Sequence, residues 1–259
     1  MRRSALLAAA LLALAACKTK HVSITGELKY GATAEDDYKA GVELLRDKAY
    51  PEAEKFFERV KTKYPFSKFA PLAELRIADS KFAQDLFPEA VEAYKQFAQL
   101  HPTHEELAYA EFRVGLAHFK DAPTDFALFP PAHEKDQRQL QQAREVLSKF
   151  LETHGDSKYA AEARDVLAKV NGRLAEHEWY VAEYYFKRKR WAGAIARYEA
   201  LVEKYPGTRH ESEALLKLAQ AALAQGEKHR ARTALQQLIV KHPKDALRPQ
   251  AEKRLAELR

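Results

Sequence analysis

The sequence predicts an all-α chain: a right-handed α-solenoid of about five helix pairs, closed by a C-terminal capping helix. Three observations carry this. Nine glycines and eleven prolines, 20 of 259 residues, fall below the roughly 12% of an average chain, and strands joined by many tight turns need more of both. Hydrophobic residues at 46% and charged residues at 31% make the chain too apolar to stay disordered. Helix-ending dipeptides also recur as Tyr64-Pro65, His101-Pro102, His154-Gly155, Tyr205-Pro206 and His242-Pro243.

Counting back twelve from the second residue of each dipeptide gives Ala53, Ala90, Ala143, Ala194 and Ala231. Counting back eight gives Phe57, Tyr94, Leu147, Tyr198 and Leu235, and counting back five gives Val60, Phe97, Phe150, Leu201 and Leu238. Steps of four and three trace one face of an α-helix. A small residue followed by two large ones lets a partner helix approach closely and then fills the groove. These second helices are expected near Pro51–Lys63, Pro88–Leu100, Gln137–Thr153, Ala192–Lys204 and Lys228–Lys241. First helices precede them near Ala34–Lys48, Phe69–Gln84, Glu105–Lys120, Ser157–Lys189 and Thr208–Gln225, and Asp245–Leu258 forms the cap. Pro51 and Pro88 sit in first turns, where a missing N–H costs nothing. The 37-residue spacing from Pro65 to Pro102, and from Pro206 to Pro243, is close to that of the tetratricopeptide repeat. Such a pair buries its apolar face only by stacking on neighbours.

Two spacings depart from 37. The third repeat carries about 16 extra residues, Asp121–Asp136, with Pro123, Pro130 and Pro131 beside Phe126, Leu128 and Phe129. This insert reads either as a loop tucked onto the neighbouring repeat or as a partner-facing apolar tip. From Gly155 to Pro206 there are 14 extra residues, about four helical turns. Tyr159, Ala163, Val166, Val170, Leu174, Val181 and Tyr185 keep helical phase throughout, so one long helix is expected to bridge front and rear, with Asn171-Gly172 as a possible bend.

The N-terminus reads as an address. Arg2 and Arg3 precede twelve apolar residues, Ala5–Ala16, too few for the roughly 20 a spanning helix needs but suited to a secretory signal. Leu14-Ala15-Ala16-Cys17 resembles a bacterial lipobox. That match implies cleavage of residues 1–16 and acylation (palmitate and related chains) of Cys17, the one cysteine. Residues 17–33 then form a tether, 34–120 the front repeats, 121–136 the insert and 137–259 the rear repeats with the bridging helix and cap. Lys18 stands where an Asp would signal inner-membrane retention in such lipoproteins, so the resemblance implies the periplasmic face of an outer membrane. The net charge of +6, of which Arg2 and Arg3 account for two, leaves +4, too mild to call for nucleic acid.

Catalytic signatures are missing. No Gly-rich phosphate loop, Gly-x-Ser-x-Gly elbow or His-Glu-x-x-His stretch occurs. His101 and His104 are the nearest approach to a metal pair, but the proline between them marks a helix end. No enzyme activity, metal or cofactor is expected, apart from covalent lipid on Cys17. Lys187-Arg188-Lys189-Arg190 is the one dense basic run. It reads as a helix end complementing the dipole, or as a surface for an acidic protein partner or anionic lipid.

The order of these features resembles the BamD family, tetratricopeptide lipoproteins of the outer-membrane β-barrel assembly complex. The carriers are the lipobox, Tyr64-Pro65-Phe66, Leu100-His101-Pro102-Thr103-His104, Gly115-Leu116, the long insert before Gln142-Ala143, and Arg173-Leu174-Ala175-Glu176 leading into Val181-Ala182-Glu183-Tyr184-Tyr185. Asp136-Gln137-Arg138 departs from the family's usual Asp-Arg-Asp-like stretch. The resemblance implies a scaffold that receives unfolded barrel proteins on the front repeats through their C-terminal signals. It also implies that the rear repeats hold the periplasmic domains of the barrel-forming subunit BamA, with accessory lipoproteins as further partners. The family's ionic contact to that subunit falls on Arg197, with Arg188, Lys189 and Arg190 as neighbouring candidates; the other reading of Arg197 is pairing with a local glutamate. Tyr38, Phe66, Phe69 and Phe82 are candidates for a client groove, or else inter-helix packing. A lipoprotein adaptor for cell-wall synthesis or a secretion or pilus complex is the alternative function, and a murein-active hydrolase a more distant one.

Overall fold

A computed structural model describes residues 28–125 and 130–258. The signal-like segment, Cys17 and most of the tether lie outside the described residues, as do Phe126, Leu128 and Phe129 of the insert. The described residues form eleven α-helices and one short 3₁₀ turn, with no strand. The helices are α1 (Ala34–Arg46), α2 (Tyr50–Lys63), α3 (Phe69–Ala83), α4 (Phe87–Leu100), α5 (Leu107–Asp121), α6 (Arg138–Thr153), α7 (Ala160–Lys187), α8 (Trp191–Lys204), α9 (Glu211–Ala224), α10 (Lys228–Lys241) and α11 (Arg248–Glu257). The all-α class and the sequence of helix pairs are as predicted.

Two compact units divide at Gln84 and Asp85, rather than at the insert. The insert does not part the chain because α5 and α6, on either side of it, pack directly on each other. In the first unit α1, α2 and α3 pack together. In the second, each helix from α4 to α11 packs on the next in sequence, the pattern of a repeat array.

All five recurring alanines are fully buried, and so, to within 1%, are the ten large residues that follow them at four and seven positions. The C-caps Tyr64, His101, His154, Tyr205 and His242 share φ between −122° and −131°. Their shared geometry shows five copies of one turn, four of them followed by the proline that stops the helix. Pro51 and Pro88 occupy first-turn positions, and Thr33 with Asp36 closes a capping box on α1.

A second small residue, unnoticed in the sequence, completes the packing rule. Gly41, Ala78, Ala182 and Ala219 each lie twelve residues before the recurring alanine and are buried. In the third repeat the 16 extra residues move this position to Gly115. A Cβ on Gly41 would approach Phe57 to 2.7 Å, and one on Gly115 would approach Leu147 to 2.7 Å. At both glycines the missing side chain makes room for the large residue of the second helix, so α1 seats on Phe57 and α5 on Leu147. Gly115→Val is therefore expected to overpack this contact and destabilise the protein by about 1–3 kcal/mol. Urea unfolding would show it, and an unchanged midpoint would contradict the close approach.

The turn inside each pair is also repeated. Lys48, Asp85, Lys189 and Gly226 have φ of 62°, 59°, 56° and 84°, each five residues before the recurring alanine. At Lys48, Lys189 and Gly226 the flanking N–H groups close a Schellman pattern, as in Lys189 N–H to Phe186 O at 2.9 Å and Arg190 N–H to Tyr185 O at 3.0 Å. Three non-glycine residues thus hold a left-handed backbone that only Gly226 adopts without a Cβ penalty.

The long helix is α7, 28 residues without interruption. Gly172 does not break it, and the space where its Cβ would lie is open. The described part of the insert is tucked against this helix, while the apolar residues on which the partner-facing reading rests lie outside the described residues. Arg173 donates to Pro123 O, His177 Nδ1 lies 2.7 Å from His133 O, and the His133 ring sits 4.8 Å from that of Tyr180. Gln137, buried, donates to Ala132 O and Lys135 O at 2.8 and 2.6 Å, while Asp125 Oδ1 accepts from Ala132 N–H at 2.7 Å.

Candidate partner-binding surfaces

The basic run ends α7 and turns into α8. Arg188 lies 3.6 Å above the Tyr184 ring and donates to Tyr184 O at 3.3 Å. Lys189 is the left-handed turn residue and Arg190 the N-cap of α8. All three are exposed. The fold therefore uses their backbones for a turn common to the repeats while leaving three cations in solvent.

Arg197, on α8 one residue before buried Tyr198, points outward as its helical phase requires. Its Nη1 donates to Glu178 Oε2 at 3.1 Å, so it has the local glutamate partner. The Arg197 side chain is 44% exposed and that of Glu178 only 13%. Glu178 thus steadies an arginine that still faces water.

Beneath this surface lies a junction of three helices. Glu183 of α7 accepts from Tyr198 Oη of α8 and from Lys217 Nζ of α9, both at 2.6 Å. The Lys217 ammonium sits 4.8 Å from the Trp179 ring and 5.6 Å from that of Phe186. Burial pushes the Glu183 carboxyl up, but the Lys217 and Tyr198 hydrogen bonds outweigh it and hold the group below its ordinary value. Burial first, and then the Glu183 carboxylate, drive the Tyr198 hydroxyl well above its own. Nearby, Trp179 stacks on His210 at 4.7 Å, whose Nε2 lies 2.9 Å from Glu176. These groups are spent on joining helices.

Of the four front aromatics, Tyr38 and Phe69 meet, while Phe66 stands apart. Tyr38 packs against Phe57 at 5.9 Å and Phe69 at 5.3 Å, and both belong to the edge of the first unit's core. Phe82 is half-buried, whereas Phe66 stands fully exposed on the turn between α2 and α3. Tyr38 and Phe69 follow the packing alternative. His104 Nδ1 accepts from Glu106 N–H at 3.1 Å, a use within the turn, and no group of three metal-ligating side chains is gathered among the described residues.

Two surface grooves escaped the sequence reading. One, of about 290 Å³, runs between α4 and α6 over α5 and is lined by Lys95, Ala98, Val114, Val146 and Lys149. The other, of about 300 Å³, lies at the corresponding place between α8 and α10 over α9, where Glu199, Glu203, Arg230 and Lys241 replace that lining. The register that locates them was available, since Val146 and Ala234 each lie three residues after a recurring alanine. Their chemistry differs: the first is largely apolar, with two lysines and Glu111 in its lining, whereas Arg230 bridges Glu199 at 3.0 Å across the second.

Repeated helix pairs, with polar groups spent on caps, turns and helix junctions and with grooves between the second helices, define a helical-repeat protein. The chain belongs to the YfiO family, described as outer membrane lipoprotein, whose model matches residues 31–238. It is 29% identical over 191 residues to the outer membrane protein assembly factor BamD of Rickettsia prowazekii (strain Madrid E), covering 73% of this chain and 72% of that one. It is 28% identical over 219 residues to the BamD of Neisseria meningitidis serogroup A (strain Z2491), covering 80% of each. Among solved structures, the TPR2AB domain of yeast Sti1 in complex with pHSP90 aligns at 15% identity and TM-score 0.42, over 87% of this chain and 82% of that one. The BamD resemblance read from the residues is borne out by the sequence matches. Among the described residues no helix is long and apolar enough to cross a membrane.

Proposed function

We propose that this protein is a non-catalytic scaffold for outer-membrane β-barrel assembly, held by lipid on Cys17 to the periplasmic face of the outer membrane. The observation that carries the reading is the family match across residues 31–238, which spans most of the repeat array. The front repeats would receive the C-terminal signals of unfolded barrel proteins. The rear repeats would hold the periplasmic domains of the barrel-forming subunit, with Arg197 and the Arg188–Arg190 turn as the cationic contact. The mechanism is passive: within each unit the packed helices hold their own surfaces in place, so a partner binds there without paying to order them.

Pulling the lipoprotein from detergent-solubilised envelopes tests this. Recovery of a large barrel subunit is expected, and recovery of wall-synthesis or pilus proteins alone would reject the assembly role. The same experiment reads Arg197. Arg197→Glu places a second carboxylate against Glu178 and reverses the outward charge, so barrel-subunit recovery is expected to fall several-fold with helicity unchanged. Glu178→Gln frees the arginine and should retain recovery. Equal recovery with Arg197→Glu would remove this residue from the interface.

A further inference from the structure

Phe66 stands at a relative exposure of 102%, and no other large apolar side chain among the described residues exceeds 76%. The turn does not require it. The corresponding residues of the other four turns, each following the second residue of the helix-ending dipeptide, are Thr103, Asp156, Gly207 and Lys244. An aromatic ring has been placed where the backbone accepts a polar residue or none.

Its location is informative. Tyr64 Oη donates to Ala32 O at 3.2 Å, so the chain arriving from the N-terminus enters the fold beside this turn. That entry is fastened. Gly31 N–H donates to Asp37 Oδ1 at 2.7 Å, and Asp37, fully buried, holds Arg59 Nε at 2.8 Å. Arg59 lies over the Tyr30 ring, which packs on Phe56 at 4.9 Å. The segment read as a tether is therefore attached from Tyr30 onward. Ten residues lie between Cys17 and Leu28, so the lipid on Cys17 is within at most about 40 Å of Leu28. The charges at this end favour an anionic surface. Lys63 and Lys68 are exposed and lie over the rings of Tyr64 and Phe69. Among the facing groups, Glu35 is engaged by Lys39 at 2.6 Å, Asp36 caps through Thr33, and Glu58 pairs with Lys61 at 3.1 Å.

We propose that Phe66 is a membrane-contact residue: its ring enters the headgroup–acyl boundary of the leaflet holding the Cys17 lipid, with Lys63 and Lys68 on lipid phosphates. The first unit is thereby held end-on against the bilayer. This rests on the acylation of Cys17 proposed above. A lone aromatic with ammonium groups beside it suits a lipid interface. A protein-binding aromatic would be expected within a ring of packed neighbours.

Acylation blocks the thiol of Cys17, so Phe66→Cys introduces the single reactive thiol for an environment-sensitive NBD label. The full acylated chain is reconstituted on vesicles of phosphatidylethanolamine and phosphatidylglycerol, with Lys244→Cys labelled at the matching turn as control. The label at position 66 is expected to shift to the blue and lose intensity with brominated lipids, while the control does neither. Flotation with the vesicles reports the anchor separately. A chain that floats while the label at 66 stays water-like overturns the membrane contact and leaves the anchor standing; a chain that does not float overturns both. A label at 66 that responds to an added barrel-protein C-terminal peptide, but not to brominated lipid, assigns Phe66 to clients and equally overturns the contact.

Discussion

Glu183→Ala is expected to lower the stability of the protein by about 3 kcal/mol, because removing one member of a mostly buried ion pair leaves the other charge without its partner. Glu183 and Lys217 are 16% and 21% exposed, and the substitution strands both the ammonium and the Tyr198 hydroxyl. Lys217 keeps a weaker contact with Glu213 at 3.5 Å, which limits the loss. Guanidinium unfolding measures it as a shift in midpoint. The acid side supplies a second signature. Because the folded carboxyl is held below its ordinary value near 4.5, its contribution is present above that value and is lost as pH falls through the folded pKa. The difference between wild type and variant should therefore narrow below about pH 4.5. A difference independent of pH would show that lost packing, not lost charge, causes the effect.

Cys17→Ser is expected to move the protein from the membrane fraction to the soluble periplasmic fraction. Each buried CH₂ of an acyl chain contributes about 0.8 kcal/mol, and two or more chains hold durably where one is marginal. The lysine side chains and Phe66 add contact at the surface but cannot replace several acyl chains. Fractionation of envelopes, followed by high-salt washing, separates the cases. A variant that stays with the membrane through the wash would refute acylation as the anchor.

Much of the fold was readable because its signals repeat. The alanines at twelve, with large residues at eight and five, form a pattern that five copies make plain. Helix starts were less legible. α5, α7, α9 and α11 begin two or three residues later than expected, because a hydrogen-bonded turn precedes them: Asp245 N–H reaches His242 O and Arg248 N–H reaches Asp245 O, both at 3.1 Å. Polarity alone does not separate such a turn from a first helical turn. The small residues of the first helices were missed since the insert displaces Gly115 from the common count. Pairings across helices were beyond reach for another reason. Arg197 with Glu178, 19 residues apart, and Asp37 with Arg59, 22 apart, depend on the rotation of each helix about its axis. The exposed aromatics were ambiguous for that reason too, and only coordinates separate Tyr38 and Phe69, which pack, from Phe66, which does not.

The uninterrupted α7 has a mechanical meaning. Arg173, His177 and Tyr180 grip the insert, while Glu178, Trp179 and Glu183 grip α8 and α9, so the two sets of holds share about three turns of one rod. No joint lies between them. A tug on the insert is borne by the same lever that steadies the outward arginine, and whatever engages one end leans on the other.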